Sequence, residues 1–272
     1  MQDATSTRSL LYYLFSIRQA KKAGCKVMLY GCGIGPIHKK VNRRRTAKVL
    51  NNCADVICVR DHYSLDFLKS LGVTKPAIRL TADPALLIDG HDPNYLHRCG
   101  LDPQESYALF SLRPWDGYQE ADMLKAIEYV YRRHGLIPIL YCIEPGKDLP
   151  IAKALSAKLS CPHKVMEAGD SGEQVACLIK RMSLVVSMRL HTLIFAAGQG
   201  IPLVGLVYDP KVSGFLDDLG QKRYLLLSET GEDRLLRLID NALESETSSQ
   251  ENVARLRKLA GDNETVAAKL LK

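Results

Sequence analysis

The chain has 272 residues and a formal net charge of +7, with 46% hydrophobic and 25% charged residues. This length holds one large domain or two of ordinary size, and the composition is that of a soluble globular protein. No apolar run reaches the roughly 18 residues that span a bilayer, which argues against a membrane-spanning helix. The first residues have neither the basic region nor the cleavage site of a signal peptide, so we expect a cytoplasmic protein.

The positive charge favours anionic partners, namely phosphates, nucleic acid or an acidic membrane face. We do not expect a nucleic-acid partner, because the sequence has no RNP-type run, zinc finger or long basic stripe. The eight cysteines include no Cys-x-x-Cys pair, and most lie in apolar segments. We therefore predict structural, reduced thiols and no metal site.

Strand-like and helix-like segments alternate along the first 92 residues. Helical spacing of apolar residues predicts helices, and short apolar runs predict buried strands. The predicted helices are 7–23, 43–53 and 61–72, and the predicted strands are 26–31, 55–60 and 77–81. The first strand runs into a glycine-rich turn at residues 31–35 that lacks the G-x-G-x-x-G dinucleotide pattern. We expect these glycines to let the backbone pass close to a neighbour.

A polar stretch rich in turn formers, residues 89–106, interrupts the alternation and predicts a domain boundary. The alternation then resumes with strands 107–113, 136–142, 164–167, 184–189 and 202–208 and helices 118–134, 148–160, 171–182 and 191–199, followed by helices at about 230–245 and 248–271. Repeated βα units predict an α/β protein with parallel sheets in two Rossmann-like lobes, 1–92 and 93–272. Three strands make a thin sheet, so we expect the first lobe to be incomplete or unusually compact.

Ligands of open α/β sheets bind beyond the carboxyl ends of the strands, so the residues that follow each strand are the candidate site residues. Strand 55–60 ends in Arg60, which either faces the ligand or pairs with Asp61, itself a candidate helix cap. Strand 77–81 is followed by Asp83, which we interpret as a turn former before proline. Strand 107–113 ends in Arg113 beside Trp115, a combination that suits a carboxylate, a phosphate or a sugar face.

The next two strands deliver a histidine and two further cations. Arg189 and His191 follow strand 184–189 at the start of a helix, where backbone N–H groups and the helix dipole favour anions. Lys211 follows strand 202–208 after an Asp-Pro turn. We expect Arg113, Arg189, His191 and Lys211 to converge. Such a set suits a small dianion carrying phosphate and carboxylate, with the histidine transferring a proton.

Five motifs, "QDATSTRSLLYYL", "VMLYGCGIGPI", "VICVRDHYSLDFLKSLGV", "TADPALLI" and "SMRLHTLIFAAGQGIPLVGLVYDPKV", occur in this order over nearly the whole chain. In these motifs the chain resembles polysaccharide pyruvyl transferases, most of all the CsaB type of Gram-positive bacteria. The resemblance implies a GT-B-like fold and transfer of the enolpyruvyl group of phosphoenolpyruvate onto a sugar as a ketal. For the CsaB type it implies N-acetylmannosamine in a secondary cell-wall polysaccharide that anchors S-layer proteins, modified on a lipid carrier at the inner membrane face.

The resemblance also implies roles for the strand-end residues. Arg189 and Lys211 would hold the anionic groups of the donor, Arg60 would close from the opposite lobe, and His191 would act as general acid or base. No cofactor or metal is implied. Family members usually carry a further strand, helix and "GGGLLQD"-like loop before the segment that begins this chain, so we expect a first lobe with an unpaired sheet edge.

Two other functions stay open at this point. A nucleotide-sugar glycosyltransferase of the same fold would need a ribose-binding carboxylate, for which Asp209, Asp217 and Asp218 are candidates. A shortened lobe pair could instead bind an anionic glycan or a partner without turnover.

Overall fold

A computed structural model describes residues 1–3, 6–169, 171–229, 231–244 and 250–272. The chain forms two compact units, one of Met1–Pro84 with Arg255–Lys272, the other of Ala85–Ala254. This division differs from the expected bounds of 1–92 and 93–272. The physical reason is Asn263, which is buried, accepts from the Thr81 hydroxyl at 3.0 Å and donates to the Ala82 carbonyl at 3.0 Å. These bonds hold the end of the chain against the first unit.

The first unit contains a three-stranded parallel sheet in the order β1-β2-β3. Apolar residues of strands and helices form its core, which includes Leu50, Ile57 and Leu68. The pairing is in register along β2 and β3, with Val56 opposite Ala77 and Val59 opposite Leu80. The elements are α1 (Thr7–Lys22), β1 (Met28–Cys32), α2 (Lys40–Cys53), β2 (Val56–Val59), α3 (His62–Ser70) and β3 (Ala77–Leu80), followed by a 3-10 helix (Pro84–Leu87).

The second unit contains a six-stranded parallel sheet in the order β6-β5-β4-β7-β8-β9. Its first elements are α4 (Pro93–Arg98), β4 (Tyr107–Ser111), α5 (Glu120–His134), β5 (Ile137–Cys142), α6 (Pro145–Ser156), β6 (Lys164–Glu167) and α7 (Gly172–Lys180). The later ones are β7 (Leu184–Ser187), α8 (Leu190–Gly198), β8 (Leu203–Val207), α9 (Pro210–Asp218), β9 (Tyr224–Leu226), a 3-10 helix (Leu227–Glu229) and α10 (Glu232–Glu244). The last helix, α11 (Gln250–Leu271), belongs to the first unit from Arg255 onward.

The predicted α/β class with parallel sheets is confirmed. Every residue of β4, β7 and β8 is buried, as expected for parallel strands with both faces covered. Of the two predicted closing helices, residues 230, 245 and 248–249 lie outside the described part of the chain. Within the described residues, no helix is both long and apolar enough to cross a bilayer.

Two α-helices and one strand of the described residues were not predicted from the sequence: α4, α9 and β9. Asp92 caps α4 and Asp209 caps α9, and in both helices the next residue is proline in the first turn. Proline suits that position because its missing N–H would have no helical partner there. The Asp-Pro pairs that we interpreted as turns therefore begin helices.

Candidate functional site

The second unit has a strand-order reversal between β4 and β7. After β4 the chain continues to β5 on one side, and after β7 it continues to β8 on the other. β4 and β7 are parallel neighbours, with Ser111 opposite Ser187, and Ser187 is opposite Gly205 of β8. Loops that leave in opposite directions open a crevice at the carboxyl ends of the strands, which is where open α/β sheets bind ligands. Arg113, Arg189, His191 and Lys211 follow these three adjacent strands.

Arg113 is fixed in place just after β4. Its backbone N–H contacts the Met188 sulfur at 3.5 Å, and its Nη1 donates to the Tyr208 hydroxyl at 3.2 Å. The guanidinium also lies 5.2 Å from the ring centre of Trp115 and 5.3 Å from that of Tyr208. Its Nε is buried and has no hydrogen-bond partner among the described residues. Arg113 thus has one buried N–H group that no described residue satisfies.

The end of β7 is held by the Ser187 hydroxyl, which accepts from the Arg189 backbone N–H at 2.9 Å. The Arg189 guanidinium donates to Glu144 at 3.3 and 3.4 Å and forms an ion pair with Asp148. Asp148 is 1% exposed and also accepts from the Glu144 backbone N–H at 2.9 Å. The Arg189 charge is therefore already compensated by two carboxylates of the segment after β5. The expectation that it holds an anion stays a prediction.

The two carboxylates around Arg189 differ in exposure. Glu144 is about half exposed, at 47% of its side chain, whereas Asp148 is buried. A hydrogen bond from Lys147, and to a lesser extent Arg189, holds the pKa of Glu144 below its ordinary value. The Arg189 Nε, like that of Arg113, is buried without a partner within the described part of the chain.

His191 lies in the first turn of α8, whose N-cap position is Arg189. Among the described residues, no side chain caps this helix end, and the hydroxyl of Thr192 is fully buried without a partner. His191 itself is exposed. An uncapped helix N-terminus presents backbone N–H groups and the positive end of the helix dipole, which together attract an anion.

Lys211 lies in the first turn of α9, directly after β8. The Asp209 side chain caps this helix by accepting from the Lys211 backbone N–H at 2.9 Å. Lys211 is partly buried. The topology places Lys211 and His191 in the first turns of helices that follow neighbouring strands. That their charged groups converge on one ligand stays a prediction.

Arg60 belongs to the first unit, unlike the other four predicted site residues. It pairs with Asp83 at 2.6 Å and with Asp61 at 3.5 Å, and its side chain is 14% exposed. Asp61 also caps α3 by accepting from the Ser64 N–H at 2.6 Å. Asp61 therefore both pairs with Arg60 and caps α3, and each of these roles was considered from the sequence. The ion pair of Asp83 with Arg60 was not predicted. A Cβ at Gly33 would lie 3.0 Å from the Arg60 guanidinium, which explains that glycine.

Three further residues at the site were not among the predicted site residues: Tyr208, Glu144 and Asp148. Glu144 and Asp148 follow strand β5, and Tyr208 follows β8. All three could therefore have been identified as candidates, because ligands bind beyond the carboxyl ends of the strands. The ion pairs of Arg189 with Glu144 and Asp148 could not be predicted in this way, because these residues lie 45 and 41 positions earlier in the chain.

Solved structures share this architecture. The UDP-GlcNAc 2-epimerase of Methanocaldococcus jannaschii has a TM-score of 0.66 at 13% identity, over 94% of this chain and 74% of that one. Anabaena HepE in complex with UDP and glucose has a TM-score of 0.62 at 13% identity, over 97% and 76%. The trehalose-6-phosphate synthase OtsA has a TM-score of 0.55 at 11% identity, over 95% and 70%. At such identities these likenesses show the fold alone, which is GT-B-like as predicted.

The family of the chain follows from its sequence. Residues 1–210 match the family described as polysaccharide pyruvyl transferase. The match includes Arg60, Arg113, Arg189 and His191, and it ends at the residue before Lys211. Since it covers well over half of the chain, the predicted resemblance is confirmed at the level of the family. The chain is a member of the polysaccharide pyruvyl transferase family.

Proposed function

We propose that the protein transfers the enolpyruvyl group of phosphoenolpyruvate to a sugar and closes it as a ketal. The observation that carries this proposal is the position of His191. It lies in the uncapped first turn of α8, beside the strand-order reversal, and cationic residues follow the strands on both sides. Family membership supports the reaction class.

In this proposal phosphoenolpyruvate binds through hydrogen-bond donors and positive charges that follow β7 and β8. The first turn of α8 and the buried Thr192 hydroxyl offer hydrogen bonds to one anionic group. Lys211 supplies a positive charge for the other anionic group, and Arg189 contributes a buried Nε–H. Phosphate and carboxylate on one small molecule satisfy such a set, because each accepts charge-assisted hydrogen bonds. The part played by Arg60 is a separate proposal, since its charge is shared with Asp83.

The proposed chemistry needs a proton donor and charge stabilisation. His191 protonates the methylene carbon of phosphoenolpyruvate, which becomes a methyl group, and positive charge develops at the neighbouring carbon. A sugar hydroxyl adds there and returns a proton to His191. The bond from that carbon to the phosphate oxygen then breaks, a second hydroxyl of the same sugar adds to the carbon to close the ketal, and its proton leaves with the inorganic phosphate. Positioning of the two hydroxyls and stabilisation of the developing charge supply most of the acceleration.

The finer identity of the acceptor follows from the CsaB-type resemblance. We propose N-acetylmannosamine of a lipid-linked secondary cell-wall polysaccharide, whose pyruvylated form would anchor S-layer proteins. The reaction would then take place in the cytoplasm, at the inner face of the membrane.

A groove of the first unit supports contact with an anionic membrane surface. The groove lies between α1 and α2, has a volume of about 740 Å³, and has apolar lining that includes Leu11, Leu14 and Phe15. Phe15 is 59% exposed and neighbouring Tyr12 is 67% exposed. The cationic residues that also line the groove are Arg18, Lys21, Lys22, Arg45 and Lys48. Exposed aromatic groups beside cations suit a surface of anionic headgroups over an apolar interior.

Vesicle co-sedimentation tests this contact. Vesicles with phosphatidylglycerol should retain the protein at low salt, and vesicles of phosphatidylcholine should not. Replacing Arg45 and Lys48 together by glutamine should release it. A concentration-dependent dimer that these substitutions abolish, without vesicle binding, would overturn the assignment.

The reaction itself is tested with purified protein, phosphoenolpyruvate and a lipid-linked acceptor that contains N-acetylmannosamine. Release of phosphate, together with an acceptor mass increased by one pyruvyl ketal, is the expected result. Consumption of a UDP-sugar instead would support a glycosyltransferase. Anabaena HepE, one of the solved structures similar to this chain, is a complex with UDP and glucose. Two of the carboxylates proposed for that alternative have structural partners: Asp209 caps α9, and Asp217 accepts from the Tyr224 hydroxyl at 3.3 Å. Absence of both reactions would favour a non-catalytic glycan-binding protein.

A further inference from the structure

Trp115 is a large aromatic residue at the candidate ligand edge with no role in the core. It is the one tryptophan of the chain, and 45% of its surface is exposed. It lies two residues after Arg113, in the loop that follows β4 at the strand-order reversal. A large apolar surface left in water at such a position is typical of a binding site.

The loop that carries Trp115 is held by local contacts. The Tyr118 backbone N–H donates to the Trp115 carbonyl at 3.1 Å, which closes a tight turn. Gly117 in this turn has φ +85°, a conformation that favours glycine. An added Cβ at Gly117 would lie 3.5 Å from the Leu227 carbonyl oxygen, so the turn packs closely against the segment after β9. The indole is therefore presented from a defined position.

The orientation of the indole is set by Tyr208 and Arg113. The rings of Trp115 and Tyr208 are 4.6 Å apart and inclined by 54°. The Arg113 guanidinium contacts both rings, at 5.2 and 5.3 Å, and donates to the Tyr208 hydroxyl. These three side chains come from the ends of β4 and β8, the strands on either side of β7. Together they form a fixed aromatic surface beside the strand that leads to His191.

The chemistry of this surface suits a pyranose ring. The C–H groups on one face of a pyranose carry partial positive charge, and they are attracted to the negative face of an indole. Hydroxyl groups around the sugar rim need donors, and Arg113 keeps a buried Nε–H without a partner among the described residues. A nucleobase would also stack on an indole, but the proposed reaction contains a sugar acceptor and no nucleotide.

We propose that Trp115, held by Tyr208 and Arg113, is the platform on which the pyranose ring of the acceptor sugar stacks. This inference rests on the proposed function, because it assigns the sugar-binding part of the same site. A sugar stacked there would lie at the carboxyl edge of β4 and β8, the edge at which His191 follows β7.

Fluorescence of the single tryptophan tests the platform directly, without turnover. Wild-type protein is titrated separately with a methyl glycoside or disaccharide of N-acetylmannosamine, with phosphoenolpyruvate and with UDP. We expect the sugar to change the emission of Trp115 in a saturable manner. A change with UDP and none with the sugar would overturn the inference. Pyruvyl transfer without any sugar-dependent change would overturn it too, and would leave the proposed function standing.

Kinetics provide the second test. Trp115→Ala should raise the KM for the acceptor about tenfold, the loss expected for one aromatic stack, and leave the KM for phosphoenolpyruvate unchanged. Trp115→Phe, which keeps an aromatic face, should retain most of the affinity. Tyr30→Ala is the matched control, since Tyr30 is an exposed aromatic residue on β1, outside both the proposed site and the α1–α2 groove. An unchanged acceptor KM in Trp115→Ala, or equal loss in Tyr30→Ala, would contradict the platform. A wild type that binds the sugar but never consumes phosphoenolpyruvate would instead refute the proposed function.

Discussion

Replacement of Asp148 by alanine tests whether the fold holds Arg189 through a buried ion pair. Asp148 is 1% exposed and the Arg189 side chain 12%, so the substitution leaves a largely buried guanidinium with Glu144 alone. Removing one partner of a buried ion pair costs about 3–5 kcal/mol. We expect about 3 kcal/mol here, at the lower end of that range because Glu144 still compensates part of the charge. The Glu144 N–H also loses its acceptor.

Thermal and chemical unfolding measure this loss. For a unit of this size, about 3 kcal/mol corresponds to a Tm lower by about 6–12 °C. Glu144→Ala is the control, because a pair with a half-exposed carboxylate contributes under about 1 kcal/mol. If Asp148→Ala unfolds at the wild-type temperature, the ion pair does not hold Arg189 in place. Arg189 would then be a cation free to bind the donor, as the sequence alone suggested.

Three further predictions concern other parts of the chain. Lys211→Ala should raise the KM for phosphoenolpyruvate by about tenfold or more, the loss of a charge-assisted hydrogen bond, and an unchanged KM would exclude Lys211 from the donor site. A hydrogen bond from Lys21 lowers the pKa of Asp55 below its ordinary 3.8, so this pair stabilises the fold above about pH 4 and the contribution disappears as the pH falls through the lowered pKa. Wild type should therefore exceed Asp55→Asn in unfolding free energy at pH 7 and lose that advantage in acid; a pH-independent difference would refute the linkage. Burial raises the pKa of the Cys142 thiol to about 11, so mass spectrometry after brief alkylation at pH 7.5 should find Cys142 unlabelled and the exposed Cys25 labelled, and the reverse order would contradict the structure.

The α/β fold class could be predicted from the sequence because the buried strands are recognisable as short apolar runs. Runs such as 184–187 and 203–207 are apolar throughout, as parallel strands covered on both faces must be, and the helices between them have apolar faces. The missed helices α4 and α9 share one cause, which is that an Asp-Pro pair is compatible with both a turn and a helix start. The choice depends on whether the aspartate accepts from the following turn, as Asp92 and Asp209 do.

The position of the candidate site could be predicted from the sequence, but the ion pairs between its side chains could not. Strand ends placed Arg113, His191 and Lys211 after neighbouring strands because parallel strands share one carboxyl edge. The ion pairs of Arg189 with Asp148 and of Arg60 with Asp83 depend on side-chain contacts between separate loops. Such contacts leave no periodic signal in a single sequence.

We propose that His191 protonates the methylene carbon of phosphoenolpyruvate during ketal formation. The most direct measurement runs the reaction in D2O with phosphoenolpyruvate and the lipid-linked acceptor, and analyses the pyruvyl methyl group by mass spectrometry. Wild type should incorporate solvent deuterium into that methyl group as phosphate is released, and His191→Ala should form no ketal while it retains the fold and binds phosphoenolpyruvate. Ketal formation at the wild-type rate by His191→Ala, or a ketal without solvent deuterium, would contradict the account.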